Sequence, residues 1–291
     1  MSEYTDAVRF EGVSRSKKGC LYDVGFSVPK GTVMLLVGEN GAGKTTLLNV
    51  LAGQYGADQG TVYLFDRPQS DDDPAERARM SVVFDTIPYG QSLNARQVGK
   101  VFAGLYPQWD DEAYNRYLDI FGIGEKQVIK TYSRGMMQKL QIACALSHNA
   151  ELLVLDEPTA NLDPGSREII LQCLMEYMKD GERSILVSTN MPGELDRYAD
   201  GATMIHKGRV VFSGEIDTIL NSYGIVKCGP DEVSGIDRPD IVGIRHSRYS
   251  AEVMVKDRER VAAKCPGMAI DPATLDDILV FTGAYGEEAA R

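Results

Sequence analysis

Gly38-Glu-Asn-Gly41-Ala-Gly43-Lys44-Thr45 follows the apolar run Val33-Met-Leu-Leu-Val37 and opens a segment, 45–52, that reads as a helix. The spacing is that of a phosphate-binding loop, in which glycines let backbone N–H groups turn inward around an anion. The following helix adds the positive end of its dipole. On this reading Asn40, Gly41, Ala42 and Gly43 supply the loop, with Thr46 on the helix behind it. Lys44 reaches the β- and γ-phosphates, and the Thr45 hydroxyl ligates Mg²⁺.

Downstream, Glu151-Leu-Leu-Val-Leu-Asp156-Glu157-Pro158 is an apolar strand ending in two carboxylates. A buried strand can deliver Asp156 to a metal at the carboxyl edge of a parallel sheet, where ligands bind in such folds. Glu157 can then polarise an attacking water. Tyr132-Ser133-Arg134-Gly135-Met136 opens a helix. Ser133 and Gly135 therefore sit at a second helix N-terminus, which serves as an ordinary cap or as an anion site.

Around these motifs the pattern alternates. Val24, Phe26 and Val28 suit a half-buried strand, and strand signals return at 152–155 and 184–188 with a helix near 167–179 between them. Strands alternating with helices imply a parallel sheet. From 93 to 150 the spacing is helical. Val98, Val101, Phe102 and Leu105 form one stripe, and Ala113, Tyr114, Tyr117, Leu118 and Phe121 a second. Both stripes read as core, while Trp109 between them suits packing or docking equally. Beyond residue 216, Gly229-Pro230, Gly235 and Pro239 cut the chain into short pieces, and Tyr249, Ala251, Val253 and Val255 alternate as a strand.

Composition narrows the function. The chain has 291 residues, 43% hydrophobic and 25% charged, with a net charge of -11. Such an acidic balance argues against a nucleic-acid partner, and Lys17-Lys18 is too small a basic cluster to reverse it. Five widely spaced cysteines without a C-x-x-C fit reduced thiols in the cytosol. The first residues lack a basic region followed by an apolar run, which predicts no signal peptide. No apolar stretch approaches the roughly 18–20 residues that cross a bilayer, so membrane work falls to another polypeptide.

The order of motifs resembles the ABC-transporter ATPases. It runs from the phosphate loop through the Ser133-Arg134-Gly135 helix and Leu152–Asp156 with Glu157-Pro158-Thr159 to Ala160-Asn161-Leu162-Asp163. The resemblance covers about residues 5–215. It implies a P-loop α/β sheet with a helical subdomain inserted near 86–150 and an ATPase domain over 1–215, while the short broken pieces beyond read as a small C-terminal α+β appendage over 216–291. It also implies ATP and Mg²⁺ as cofactors, a separate transmembrane permease as partner, and a homodimer or heterodimer of ATPase subunits at the inner face of the membrane. Each ATP then lies between one protomer's phosphate loop and the other's Ser133–Gly135 segment. Tyr106-Pro-Gln-Trp-Asp110, Arg134-Gly-Met and Thr274-Leu-Asp-Asp-Ile-Leu-Val280 resemble exporters of the ABC-2 type, including those linked to peptide-antibiotic resistance.

Two positions depart from that family's pattern. Asp85 stands where a glutamine is usual; it can ligate Mg²⁺ but adds negative charge beside the phosphates. Asn190 stands where a histidine is usual; its amide can bond a γ-phosphate oxygen but cannot carry a proton. Both imply slow hydrolysis, and the family's adenine-stacking aromatic has no clear counterpart, since Tyr22 comes late for it. A soluble ATPase of translation or DNA repair is disfavoured by one cassette without heptads, and a non-hydrolysing nucleotide-binding regulator by Glu157.

Overall fold

A computed structural model describes residues 5–17, 20–69, 74–86 and 89–286. The chain begins with β1 (Asp6–Arg15), β2 (Leu21–Pro29), β3 (Val33–Val37), α1 (Lys44–Leu51), β4 (Gln59–Leu64), β5 (Arg67–Pro68), α2 (Pro74–Arg77) and β6 (Met80–Val83). Helices α3 (Ala95–Leu105), α4 (Asp111–Phe121) and α5 (Arg134–Ser147) follow, then β7 (Leu152–Asp156), α6 (Pro164–Tyr177), β8 (Ser184–Thr189), β9 (Gly201–His206) and β10 (Arg209–Glu215). The terminal segment holds α7 (Ile216–Ser222), β11 (Gly224–Cys228), β12 (Ile241–His246), β13 (Ala251–Val255), α8 (Arg258–Lys264), β14 (Ala269–Pro272) and α9 (Leu275–Ala284).

The central sheet has the order β10-β9-β3-β8-β7-β6 and is parallel except for its β10 edge. Both faces are covered, and the two-residue period of a strand divides its side chains between two cores. Met34 and Leu36 of β3, Leu152 and Val154 of β7, and Leu186 of β8 join Phe10, Val24 and Leu48 beneath the antiparallel sheet β2-β1-β4-β5. Val33, Leu35, Val37, Leu153, Leu155, Ile185 and Val187 face the other way, against α5 and α6. That division explains why these strands read as unbroken apolar runs.

In the helical segment the second stripe is core as expected: Ala113, Tyr114, Tyr117, Leu118 and Phe121 are all buried. The first is not. Val98 is buried, but Val101 is 50% and Leu105 66% exposed, so the core reading fails for half of that stripe. The reason is geometric, since Val101, Phe102 and Leu105 line an open groove between α3 and β6 rather than a closed core. Trp109 packs, with its ring centroid 5.3 Å from that of Phe102 and 5.0 Å from that of Tyr114. The α6 helix begins earlier than its apolar pattern, because Asp163 caps it by accepting the Ser166 N–H at 3.0 Å and Pro164 suits the first turn.

The terminal segment forms the antiparallel sheet β12-β13-β11-β14 over a small core of Val226, Ile236, Val253, Val255 and Val261. Tyr249 lies before β13 and is exposed, so the expected alternation starts only at Ala251. Leu275, Ile278, Leu279 and Phe281 of α9 instead enter the large core beside Leu195 and Met204. Among the described residues no helix is long and apolar enough to cross a membrane. Lys18 and the first four residues, on which the basic-cluster and signal-peptide readings fall, lie outside the described residues.

Candidate active site

Strands β3, β8, β7 and β6 are neighbours, and the loops leaving them all open on the same sheet edge. A cleft of about 390 Å³ lies there. Of the candidates read from the sequence, all but Ala42, Ser133 and Gly135 line it.

The phosphate loop needs left-handed backbone at Gly41 (φ 81°) and at Gly43 (φ 114°), which caps α1. A side chain at either position strains that path. Lys44 is 5% exposed, and its ammonium donates to the carbonyls of Gly38 at 2.6 Å and Glu39 at 3.2 Å. It also lies 3.2 Å from Glu157 Oε1. A buried cation requires such partners, and here they hold it at the cleft floor. Ala42 turns its side chain into the core and donates its N–H to the Glu39 carbonyl at 3.1 Å.

The Thr45 hydroxyl donates to Asp156 Oδ2 at 2.9 Å, and the Ser188 hydroxyl donates to Asp156 Oδ1. Glu157 leaves β7 with φ 49°, a conformation that costs a non-glycine residue energy and that clusters at functional positions. Its N–H is held by Ser188 Oγ at 3.1 Å, which turns the carboxylate toward Lys44 and away from the sheet. The Asn190 N–H lies 3.4 Å from Glu157 Oε2, and the Asn190 amide donates to Asn40 Oδ1 at 3.1 Å. Asp85, beyond β6, is exposed and lines the same cleft.

Hydroxyl and carboxylate oxygens are hard donors suited to Mg²⁺, and the Thr45–Asp156 pair with Asp85 supplies them on one side of the cleft. Among the described residues no cluster of three His, Cys, Asp or Glu side chains could cage a metal unaided. The donor set therefore fits an ion completed by phosphate oxygens and water.

Ser133 caps α5 by accepting the Met136 N–H at 3.2 Å, and it is exposed away from the cleft. Gly135 packs tightly on the 160–163 loop: a Cβ there would lie 3.1 Å from the Asn161 carbonyl oxygen. Tyr22 is half-exposed. Its N–H bonds the Gly208 carbonyl at 2.8 Å, and the Arg209 guanidinium lies 4.8 Å over its ring.

Sequence reasoning missed Ser188 and Gln141. Ser188 organises both acids, and Gln141 donates to the carbonyls of Phe84 at 3.2 Å and Thr86 at 2.9 Å, bracketing Asp85. Neither leaves a distinctive trace in the sequence, since β8 also carries Ser184 and Thr189, and α5 also carries Gln138 and Lys139.

A glycine loop cradling a buried lysine, beside a hydroxyl–carboxylate pair and a second acid, defines a phosphate-loop nucleotide hydrolase. The family profile described as ABC transporter matches residues 21–160. The chain is 31% identical over 238 residues to the Nod factor export ATP-binding protein I of Sinorhizobium fredii (strain NBRC 101917 / NGR234), covering 79% of this chain and 68% of that protein. It is also 31% identical over 207 residues to the lantibiotic transport ATP-binding protein SrtF of Streptococcus pyogenes, covering 70% and 88%. A solved ATP-binding subunit of an ABC transporter superposes with a TM-score of 0.67 at 26% identity, over 73% of this chain and 91% of that one. The chain belongs to the ABC transporter family as a subunit that binds and hydrolyses ATP.

Proposed function

We propose that this subunit powers an exporter of the ABC-2 type through a separate transmembrane permease. Relatives named for Nod factor export and lantibiotic transport support that direction. In this reading Lys44 and the loop N–H groups of 40–43 grip the β- and γ-phosphates, and Thr46 lines the cleft behind them. Thr45, Asp156 and Asp85 hold Mg²⁺. Bound there, the ion neutralises charge on the transferring phosphoryl group. Glu157 accepts the proton of the attacking water. Asn190 donates its amide to a γ-phosphate oxygen, having Asn40 as its present partner. Ser133 and Gly135, which face away from their own cleft, complete the site of a second ATPase subunit, identical or homologous.

The permease docks in the groove between β6 and α3, placing the subunit at the inner face of the membrane. The groove is lined by Phe84, Tyr89, Val101, Phe102 and Leu105, and it runs up to the 84–86 segment that carries Asp85. Exposed apolar side chains at Val101 and Leu105 are what a partner helix would cover. Residues 216–291 are an accessory unit appended to the 1–215 ATPase domain.

The Lys44–Glu157 approach at 3.2 Å supports this reading, because a phosphate-binding cation and a general base would need an ammonium and a carboxylate in one cleft. Glu157→Gln tests it. The amide is nearly isosteric but cannot accept a proton, so MgATP turnover should fall about 10²–10⁴-fold while ATP binding persists. Undiminished phosphate release would overturn the assignment.

A further inference from the structure

We propose that Asp276 is a positioning residue for the segment that carries Asn190, so that the terminal unit, through α9, sets the geometry of the γ-phosphate wall. The inference rests on the reading of Asn190 as a γ-phosphate contact.

The Gly193 N–H, three residues beyond Asn190, lies 3.3 Å from Asp276 Oδ1 as its acceptor. The approach is close: a Cβ at Gly193 would overlap the Asp276 carboxylate. Seven residues further along α9, Gly283 lies against Glu39, and a Cβ there would overlap the Glu39 carboxylate. Positions 276 and 283 are two turns apart on one face of a helix. One face of α9 therefore touches both the phosphate loop, at Glu39, and the segment that follows Asn190, at Gly193. Glu39 belongs to the phosphate loop, lines the cleft, and gives its carbonyl to Lys44 at 3.2 Å.

The helix that makes these contacts is rigidly held. Thr274 and Asp277 form a reciprocal capping pair at its start, and Leu275, Ile278, Leu279 and Phe281 are buried in the main core. Pro192 and Leu195 are buried on either side of Gly193, so Asn190 stands on a short span anchored beyond itself. Fixing Gly193 limits how far Asn190 can swing from Asn40 and Glu157, its present partners. Packing alone would explain a burial pattern, but α9 spends a charged side chain and a glycine on the two segments flanking the γ-phosphate position.

The test is steady-state ATP hydrolysis by the full chain, with amide hydrogen exchange over 190–195 as a second readout. Asp276→Ala should lower kcat about three- to tenfold, as expected for one lost solvent-exposed hydrogen bond, with KM for ATP within twofold. Exchange over 190–195 should accelerate. Asp276→Asn keeps an acceptor oxygen and should restore most of both. In an Asn190→Ala background, Asp276→Ala should have little further effect on kcat, since the two act through one segment. Unchanged kcat in Asp276→Ala, an equal loss in Asp276→Asn, or full additivity with Asn190→Ala would each overturn the proposal. If Asn190→Ala alone leaves kcat intact, the γ-phosphate reading fails instead, and the exchange measurement still reports whether Asp276 orders the segment.

Discussion

The ammonium of Lys44 lies 3.2 Å from the Glu157 carboxylate, an ion pair across the cleft between the phosphate loop and the end of β7. Neither residue is free to adopt this position alone. Lys44 is pinned by two loop carbonyls, and Glu157 is turned by a left-handed backbone held to Ser188. On the proposed reading, a nucleotide entering the cleft would bring phosphate charge to the same ammonium and leave Glu157 to address water.

Lys44→Ala should remove most nucleotide affinity. The variant loses the buried ammonium at the cleft floor and leaves Glu157 without that ion pair. Charge-assisted bonds cost about 1.5–3 kcal/mol each when removed, or roughly 10- to 150-fold in Kd. A fluorescent ATP analogue measures this. Wild-type affinity in the folded variant would contradict the role of the loop.

Asn190→His should raise kcat. Losing a preorganised donor to the transition state costs about 10²–10³-fold, and asparagine retains only part of that bond without a titratable proton. Asp85 adds a further negative charge to a cleft already lined by Asp156 and Glu157, so Asp85→Gln with Asn190→His should exceed either single change. Phosphate release at saturating MgATP is the measurement. Wild-type turnover equal to that of the histidine variant would mark Asn190 as an adapted catalytic residue.

Leu105→Asp should leave the melting temperature within a few degrees, because the side chain is mostly exposed. Burial of a leucine contributes about 1.5–3 kcal/mol at an interface, so permease association should weaken at least tenfold. Co-purification with the membrane partner reads the effect; retention at wild-type level would move the docking surface elsewhere.

Acid should destabilise the fold through His148. Burial pushes its pKa down to about 4 from 6.5, and its Nε2 lies 3.0 Å from the amide of Gln108, which the neutral ring accepts. Because the folded value is depressed, the unfolded chain binds the extra proton first. The stabilising contribution is full above about 6.5 and is lost as pH falls from there toward 4. Urea midpoints across that window should drop less for His148→Gln than for the wild type; equal acid sensitivity would exclude His148 as a main contributor.

How far the sequence carried is clearest at particular residues. That Lys44, Thr45, Asp156 and Glu157 meet in one cleft was legible because it depends on fixed local spacing: a loop after one buried strand, two acids after another. The paired cores were implicit in the apolar runs of β3, β7 and β8. The fate of α3 was not legible. Periodicity declares a helical face but not what covers it, and Val101 and Leu105 proved to face a groove. Ser188 and Gln141 act on neighbours that are distant in the chain, so no local pattern announced them.

By itself, then, the sequence determined the nucleotide-binding elements and the order of strands and helices, since backbone preference and hydrophobic period are local properties. Only the tertiary structure decided which carboxylate meets Lys44, which hydroxyl holds Asp156, and that α9, more than eighty residues beyond Asn190, lies against both Gly193 and Glu39. Those contacts follow from how sheets and helices stack to bury apolar surface, a constraint on the whole chain that no short window contains.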